Sequence, residues 1–254
     1  MENNYSLGQI KTMQQGGRFL SLILKQLLKM AREKKSGDEL EQVAQRMIKE
    51  VHGTPAFMEA INEKKENYPA AICLSINNEV VHGLPFGKKI RSSDVVSIDI
   101  GMRFKGLITD MAWTIYIEGK DPQIKKMLSV NEQALRLAAK QAYSGNKINN
   151  ISYPIQKTAY DNNFYPVVEL AGHGVGNHLH EEPSVFNISQ YSNKDKILKQ
   201  GMVIAIEPIF VLKPYKRLNF KDNWSIIVKD NIASHFEFSV AVLQQSKILT
   251  PSPI

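Results

Sequence analysis

Five residues of this 254-residue chain have side chains that can hold divalent metal ions. They are four carboxylates and one imidazole: Asp99, Asp110, His173, Glu207 and Glu237. Such a set can bind a pair of ions about 4 Å apart, because carboxylates that bridge two cations offset the repulsion between them. Oxygen donors with a single imidazole suit Mn, Fe, Co or Zn without selecting among these metals. The residue types therefore indicate a two-metal hydrolytic site, provided that the fold brings them together.

Asp99 and Asp110 flank a predicted hairpin turn. β-Branched residues predict strands over Val95–Ile100 and Leu107–Tyr116, with a turn near residues 104–106. If the turn centres between residues 104 and 105, the two carboxylates oppose each other directly, with Cβ atoms about 5 Å apart. Opposed carboxylates repel, so this arrangement favours a cation between them. Two edge aspartates that face solvent are the alternative.

A segment rich in glycine and histidine spans residues 172–183. His173 lies between two glycines, which allow the backbone to approach a ligand closely, and His178 and His180 follow it. The segment is not the helical zinc motif H-E-x-x-H, because a Glu-Pro pair follows its His-Glu pair. A lone histidine is more often structural, but the glycines on both sides favour a binding role for His173.

Two glutamates and one further histidine lie in contexts that suit a site. Glu207 ends an apolar strand, and Glu237 lies between aromatic residues. A buried glutamate needs a partner or takes up a proton, so each would pair with a metal ion or with a lysine. His82 lies on a predicted loop, where an imidazole can exchange protons near neutral pH or simply serve the turn.

The hydrophobic pattern predicts helices and strands in the order helix, helix, strands, helix, helix, strands. Four helices are predicted: over residues 7–34, from a cap at Asp38 to Val51, from a cap at Asp121 to Tyr143 and over Ile151–Asp161. Besides the two strands of the hairpin, strands are predicted over Ala71–Asn77, Val167–Leu170, Met202–Ile209, Ser225–Val228 and Glu237–Leu243. Gly16-Gly17 in the first helix indicates a tight packing point or a break. We expect an α+β fold of two similar halves that share a sheet. No linker divides residues 1–254, which predicts one domain.

Composition excludes several other classes of protein. The hydrophobic fraction of 43% and the charged fraction of 22% are ordinary for a globular chain. A single cysteine, Cys73, excludes an internal disulfide and favours a reducing compartment. We see no secretory signal and no apolar run that could cross a bilayer, so we expect a soluble cytoplasmic protein without a membrane partner. The net charge of +7 is spread along the chain, which predicts a solvated surface rather than specific nucleic-acid binding.

In their order and spacing, the motifs resemble the type I methionine aminopeptidases of the pita-bread metallopeptidase family. The matching pieces are Tyr68-Pro69, Cys73 to Asn77, Val81 to Pro85, Ser97-Ile98-Asp99, Thr109-Asp110, Gly172 to Gly176, His180 to Pro183, Ile206-Glu207-Pro208, Asp222-Asn223-Trp224 and Phe236-Glu237. The resemblance covers about Gly17 to Leu249. It implies two pseudo-symmetric halves with a curved antiparallel sheet covered by helices. The implied activity is removal of the initiator methionine from nascent proteins, preferably when the second residue is small.

The resemblance also implies which residues bind each metal ion. Two divalent ions would be bound, one by Asp99 and the other by His173 and Glu207, while Asp110 and Glu237 would bridge both. A water or hydroxide between the ions would be the nucleophile, and Glu207 would accept its proton. The free amino group of the substrate would bind the ion that carries Asp99, which explains cleavage at the amino terminus.

Around the ligands, the resemblance implies a set of substrate contacts. His180 would stabilise the oxyanion and His82 would contact the departing amide nitrogen. Four further residues would shape the pocket for an unbranched thioether: Tyr68, Cys73, Leu179 and Trp224. Without the resemblance, ordinary core packing would explain these four equally well.

Four features depart from the common pattern of the family. Phe238 follows the last ligand where many type I enzymes have histidine, and Leu179 stands where phenylalanine is frequent. The second pocket tyrosine usually found upstream of Tyr68 is absent, and His178 adds an imidazole whose role we cannot assign. None of these is a metal ligand, so they bear on pocket shape and substrate preference.

Two other functions have to be weighed against this one. An Xaa-Pro aminopeptidase or prolidase would share the five ligands, but those enzymes usually bear an additional N-terminal domain for which 254 residues leave no room. A non-catalytic peptide-binding relative would have no reason to keep five costly polar groups. We therefore expect an enzyme that acts on the amino-terminal peptides of nascent proteins, as a monomer and with at most a weak ribosome contact.

Overall fold

A computed structural model describes residues 4–189 and 195–254. The helices are α1 (Leu7–Arg32), α2 (Gly37–Glu50), α3 (Pro122–Ala139) and α4 (Ile148–Asp161). The strands are β1 (Gly53–Pro55), β2 (Ile72–Ile76), β3 (Glu79–Val81), β4 (Val95–Phe104), β5 (Leu107–Tyr116), β6 (Tyr165–Pro166), β7 (Ala171–Gly174), β8 (Glu181–Phe186), β9 (Val203–Ile206), β10 (Ile209–Val211), β11 (Asn219–Phe220), β12 (Ile226–Ile227), β13 (Ala233–His235), β14 (Phe238–Ala241) and β15 (Lys247–Ile248). The elements follow the predicted order, and the α+β class is confirmed.

Helix α1 passes through Gly16-Gly17 without a break. A Cβ atom on Gly17 would lie 2.3 Å from the carbonyl oxygen of Leu249, so the glycine is needed for the close approach of helix and carboxyl-terminal segment. The pair is thus a packing point, the first of the two predicted alternatives. The helix begins with a capping box, in which the Ser6 side chain and the Gln9 side chain each bond the backbone of the other residue.

The predicted cap of α2 was wrong by two residues. Ser36, not Asp38, is the N-cap: its hydroxyl accepts from the amide of Glu39, and the Glu39 carboxylate accepts from the amide of Ser36. This reciprocal pair satisfies two amide donors at once, which a single aspartate at position 38 cannot do. Asp38 instead accepts a hydrogen bond from the Gly87 amide at 3.0 Å.

The predicted register of the β4–β5 hairpin was also wrong. Phe104 pairs with Leu107, and the two turn residues, Lys105 and Gly106, have φ angles of 49° and 85°. A two-residue turn with both φ angles positive matches the twist of the strands. Consequently Asp99 lies opposite Ala112 rather than opposite Asp110, whose partner is Gly101.

In the second half, the start of α3 agrees with the prediction, but the end of α3 and two of the predicted strands do not. Asp121 caps α3 with Pro122 in its first turn, but the helix ends at Ala139 rather than near Tyr143. The predicted strand over Val167–Leu170 was wrong, because the Val168 amide donates to the Tyr215 hydroxyl instead of to a neighbouring strand. The predicted strand over Met202–Ile209 is divided in two by Glu207-Pro208, since proline has no amide to continue the ladder.

The two halves carry separate antiparallel sheets, not the shared sheet that the sequence predicted, and the sheets contact each other at β5 and β14. β1, β4, β2 and β5 form the first sheet, and the second has the order β15-β14-β9-β7-β8; two three-stranded sheets, β13-β10-β6 and β11-β12-β3, complete the strands.

Between β5 and β14, hydrogen bonds close the seam. The Asp110 amide donates to Ser239 Oγ at 2.9 Å, and the Glu237 amide donates to the Ala112 carbonyl at 2.9 Å. The helices pack against the sheets around one large apolar cluster that includes residues from all four helices and from both sheets. Within the described ranges, no helix is both long and apolar enough to cross a membrane.

Candidate metal centre

A cavity of about 380 Å³ collects the residues that the sequence singled out. Its walls include all five candidate ligands and the six candidate substrate contacts: Asp99, Asp110, His173, Glu207, Glu237, Tyr68, Cys73, His82, Leu179, His180 and Trp224. His178 lies outside it and lines an adjoining groove together with His173 and His180. Residues more than 150 positions apart in the chain therefore reach one place.

Each candidate ligand is held by a different stretch of backbone. Asp99 lies in β4 and Asp110 in β5, in a diagonal position two residues from the partner of Asp99. Diagonal neighbours on antiparallel strands share a sheet face and lie within reach of each other. His173 lies in β7, Glu207 follows β9, and Glu237 immediately precedes β14. The ligands thus come from both halves and meet at the seam.

The donor atoms of three of these residues lie close enough to bind one ion. Asp110, His173 and Glu237 each offer an atom within 4.8 Å of the other two. Nε2 of His173 also lies 3.5 Å from Oε1 of Glu207.

The orientation of His173 prepares it as a ligand. Nδ1 of His173 lies 2.9 Å from the Gly174 carbonyl, which can only accept, so Nδ1 carries the proton. In the neutral ring Nε2 then offers a lone pair, which is the form in which histidine binds a metal.

Ionising all the carboxylates of the cavity at once is energetically unfavourable without a cation. Burial, reinforced by the charges of neighbouring carboxylates, raises the pKa of Asp99 and of Glu237 well above the usual range. Burial also raises the pKa of Asp110 to about 6, although His173 acts in the opposite direction. Burial acts to raise the pKa of Glu207 as well, but His235 and His173 outweigh it and the pKa is lowered.

Unpartnered polar atoms at the same place fit a metal ion. Oδ1 of Asp99 and Oε1 of Glu237 are buried and have no hydrogen-bond partner among the described residues. A buried acceptor without a partner costs about 1–3 kcal/mol, and like-charged carboxylates at one site add to that cost. Divalent cations would satisfy these oxygens and remove the repulsion, so the residues present fit such ions.

Two neutral imidazoles border the carboxylates. Burial lowers the pKa of His82 and of His180 to about 4, so both rings are uncharged near pH 7. The His180 ring meets His173 edge-on, with centroids 4.4 Å apart. His82 has a φ angle of 57°, and its carbonyl accepts from the Ser225 hydroxyl at 3.4 Å. Each neutral ring offers one N–H donor to a ligand in the cavity.

The remaining wall of the cavity is largely apolar. Tyr68 packs edge-on against Trp224, with ring centroids 5.0 Å apart, and against Phe57 at 6.2 Å. The Tyr68 hydroxyl donates to backbone carbonyls, so its polar end is occupied and its ring faces the cavity. Burial raises the pKa of the Cys73 thiol, which is therefore neutral. Leu179 completes an apolar wall next to the carboxylates.

The loop that carries Leu179 and His180 is fixed from outside the cavity. The Tyr5 hydroxyl lies 2.9–3.0 Å from both carboxylate oxygens of Glu181 and accepts from the Asn177 amide at 2.8 Å. The His178 amide donates to Glu181 at 2.9 Å. His178 therefore contributes its backbone to this anchor, while its side chain is exposed.

Phe57 and His235 are among the cavity residues that sequence analysis missed. Phe57 lies in a short 3-10 turn, and nothing in its flanking sequence marks it. His235 lines the cavity with its Nε2 atom 3.4 Å from Glu207 Oε2. A signal for His235 was present, because it lies two positions before Glu237, and alternate residues of an extended chain share a face.

Comparison with known proteins places these features in a family. The pattern of metallopeptidase family M24 matches residues 11–242. Methionine aminopeptidase 1 of Bacillus subtilis is 34% identical over 237 residues, which cover 93% of each chain. The crystal structure of methionine aminopeptidase from Thermotoga maritima superposes with a TM-score of 0.88 at 29% identity, covering 98% of this chain and 99% of that one.

A prolidase shares the fold at greater distance. The prolidase from Pyrococcus furiosus superposes with a TM-score of 0.70 at 19% identity, covering 98% of this chain but 65% of its own. This likeness concerns the fold alone, whereas the B. subtilis relative matches over nearly its whole length. The pita-bread fold implied by the resemblance is confirmed, and the chain belongs to metallopeptidase family M24, in its methionine aminopeptidase branch.

Proposed function

We propose that this protein hydrolyses the peptide bond after an amino-terminal methionine, using two divalent metal ions. The observation that carries the proposal is one cavity in which three buried carboxylates, the half-buried Glu207 and His173 adjoin an apolar wall. The names of the relatives point to the same reaction. Bound ions would supply Lewis acidity, which lowers the pKa of a coordinated water and polarises a carbonyl group.

The ligands divide as the family resemblance implies. Asp99 would hold one ion, His173 and Glu207 the other, and Asp110 and Glu237 both. Glu207 would take the proton from the attacking water, as the resemblance implies, and its lowered pKa keeps it ionised in the metal-free protein. The raised pKa values of Asp99 and Glu237 support this division, because a bound cation would stabilise their ionised forms.

The neutral imidazoles act on the scissile peptide. An uncharged His180 donates its N–H to the carbonyl oxygen as negative charge develops there. An uncharged His82 contacts the departing amide nitrogen from the opposite loop. The His82 carbonyl accepts from the Ser225 hydroxyl, and the loop that carries His180 is held through the His178 amide, so both segments are positioned before the substrate arrives.

The apolar wall suits the methionine side chain. None of its residues, Phe57, Tyr68, Cys73, Leu179 and Trp224, carries a charge, and they line a cavity of about 380 Å³. Sulfur contacts with the edges of aromatic rings contribute about 0.3–1.5 kcal/mol each. Leucine in place of a more rigid aromatic at position 179 leaves the pocket adaptable to side chains of similar length.

The substrates would be the amino termini of newly made proteins, with a small second residue preferred. The monomeric state, a weak ribosome contact and a cytoplasmic location stay predictions. The decisive experiment is mass spectrometry of Met-Ala-Ser and Ala-Pro-Ala peptides incubated with the protein and added Co²⁺ or Mn²⁺. We expect release of free methionine from the first peptide, dependent on the added metal.

Two outcomes would contradict the proposal. Faster cleavage of Ala-Pro-Ala would assign the protein to the Xaa-Pro peptidases. Tight metal binding without cleavage of either peptide would indicate a non-catalytic peptide-binding protein.

A further inference from the structure

We propose that His235 is an additional ligand of the cation held by Glu207, so that the centre contains two imidazoles rather than one. This inference rests on the proposed two-metal site and deepens it. His235 is the last residue of β13, is 3% exposed and lines the cavity. Its Nε2 atom has no hydrogen-bond partner among the described residues.

The distances around His235 match those around His173. Nε2 of His173 lies 3.5 Å from Oε1 of Glu207, and Nε2 of His235 lies 3.4 Å from Oε2 of the same carboxylate. Nε2 of His235 also lies 4.0 Å from Oε2 of Glu237. Donors bound at about 2.1 Å to an octahedral ion are roughly 3 Å apart when adjacent and roughly 4.2 Å apart when opposite. Nε2 of His235 therefore lies at distances from Glu207 and Glu237 that suit donors to one ion.

A direct hydrogen bond explains these separations less well. An N–H group that donates to a carboxylate normally lies about 2.7–2.9 Å from it, and both imidazoles lie well beyond that distance from Glu207. Leaving a buried nitrogen without a partner costs about 1–3 kcal/mol. A ligand bond from Nε2 removes that cost and brings positive charge to the carboxylates at the same time.

The backbone holds His235 in place independently of any ion. The His235 amide donates to Thr114 Oγ1 at 2.8 Å, and the same hydroxyl donates to the His235 carbonyl at 2.6 Å. Ser97 Oγ lies 2.8 Å from Thr114 Oγ1 and completes the chain of hydroxyls. Because β4 and β5 carry these two residues, the strands that present Asp99 and Asp110 also position His235.

A second imidazole has a chemical consequence. Imidazole suits Fe, Co and Zn, whereas carboxylate oxygens suit Mn and Mg. We therefore expect the centre to prefer the first group more strongly than a site with one imidazole would. Replacing His235 by glutamine should weaken Co²⁺ binding by roughly 10- to 100-fold. An outer hydrogen-bond partner can cost as much, so affinity alone does not decide the matter.

The deciding measurement counts the nitrogen atoms bound to the metal. Pulsed EPR of the full chain loaded with one equivalent of Mn²⁺ should detect two coupled imidazole nitrogens in the wild type and one in His235→Gln. His82→Gln, which changes a cavity imidazole that is not a proposed ligand, should leave the count at two. One coupled nitrogen in the wild type would overturn the role of His235 without reference to any variant, so the test survives misfolding of His235→Gln.

The same experiment separates this inference from the function on which it rests. A wild type that binds no Mn²⁺ would contradict the metal site itself. A wild type that binds Mn²⁺ and cleaves methionyl peptides, but shows one nitrogen, would leave the proposed function intact and remove only the ligand role of His235.

Discussion

At the scale of single residues, the centre depends on buried carboxylates that are costly without a cation. Asp110 is 3% exposed, belongs to the group of three donors within 4.8 Å, and has a pKa of about 6 because burial disfavours its charge. A neutral amide of the same shape would keep the packing and lose the negative charge. The difference between carboxylate and amide at this position therefore isolates the electrostatic contribution.

Asp110→Asn should abolish methionine release and weaken metal uptake, with turnover reduced by roughly 100-fold or more. Metal content by mass spectrometry and peptide turnover measure the two effects separately. Asp161→Asn is the matched control, because Asp161 is an exposed aspartate that pairs with Lys157 on α4. A fully metallated and active Asp110→Asn protein would remove Asp110 from the set of ligands.

His82 makes a second residue-scale prediction, on the pH dependence of stability. Burial lowers its pKa from 6.5 to about 4, so between these values the unfolded chain binds a proton that the folded chain does not. Its contribution is fully present above pH 6.5 and is lost as the pH falls toward 4. Because His82 is half-buried and solvent screens its charge in part, we expect at most about 2 kcal/mol from this group, below the full 1.36 kcal/mol per pKa unit.

Urea unfolding of the metal-free protein at pH 7, 6 and 5 should show this loss in the wild type and a smaller one in His82→Asn. Asparagine tolerates the positive φ angle of 57° at this position, so the backbone is preserved. His52 is exposed and has a φ angle of 58°, which makes His52→Asn the matched control. Parallel pH profiles for wild type and His82→Asn would contradict the buried neutral imidazole.

The residue types of the centre could be predicted from sequence, because four carboxylates and one imidazole together favour metal binding, although each of them alone has another explanation. The proposed ligand role of His235 could not be predicted from its residue type in the same way. Its role depends on the distance between its Nε2 atom and Glu207, which lies 28 positions away in the chain and just after strand β9. Side-chain type is local information, whereas distance is a property of the whole fold.

At the scale of elements, the β4–β5 hairpin determines which residues face Asp99. Both residues of its turn have positive φ angles, and a Cβ atom added to Gly106, where φ is 85°, would meet no atom of the described chain within 4 Å. The cost of a side chain there is therefore conformational and not steric. An L-residue in this backbone region costs about 1–2 kcal/mol.

Gly106→Ala should lower the free energy of unfolding by about 1 kcal/mol, as measured by chemical denaturation. Gly8→Ala is the control, because Gly8 lies in the first turn of α1 with negative φ and an open Cβ position, where alanine stabilises by up to about 1 kcal/mol. Equal effects of the two substitutions would show that the turn conformation contributes nothing.

Local sequence predicted the existence of this hairpin but not its register. Strand content and a glycine near position 106 indicated two paired strands, yet shifting the turn centre by one residue moves Asp99 from facing Asp110 to facing Ala112. The cap of α2 is a similar case, because Ser36 and Asp38 are both good capping residues and only the Glu39 contact favours Ser36. Small differences between acceptable local conformations are decided by contacts elsewhere.

At the scale of the molecule, metal binding and folding are coupled through protons. In the metal-free chain the folded pKa values of Asp99, Asp110 and Glu237 lie above their unfolded values. Raised carboxylate pKa values contribute stability at low pH that is lost as the pH rises through the folded values. Bound cations would hold these groups ionised and so oppose the loss.

We therefore expect the stability gained from Mn²⁺ to increase between pH 6 and pH 8. At a concentration of 100 times Kd, the gain from mass action is about 2.7 kcal/mol, and the pH dependence of Kd adds to it. Urea unfolding in EDTA and in MnCl₂ at three pH values measures the difference. A gain that does not depend on pH would contradict the raised carboxylate pKa values.

The seam between the halves has a consequence for the order of events during assembly. The amides of Asp110 and Glu237 are both bonded across it, to Ser239 and to Ala112. If the halves dock before a metal ion binds, the two amide protons exchange with deuterium slowly even in the metal-free protein. The ion then binds to a preformed site. Rapid exchange that slows when the ion is added would instead show that metal binding brings the two halves together.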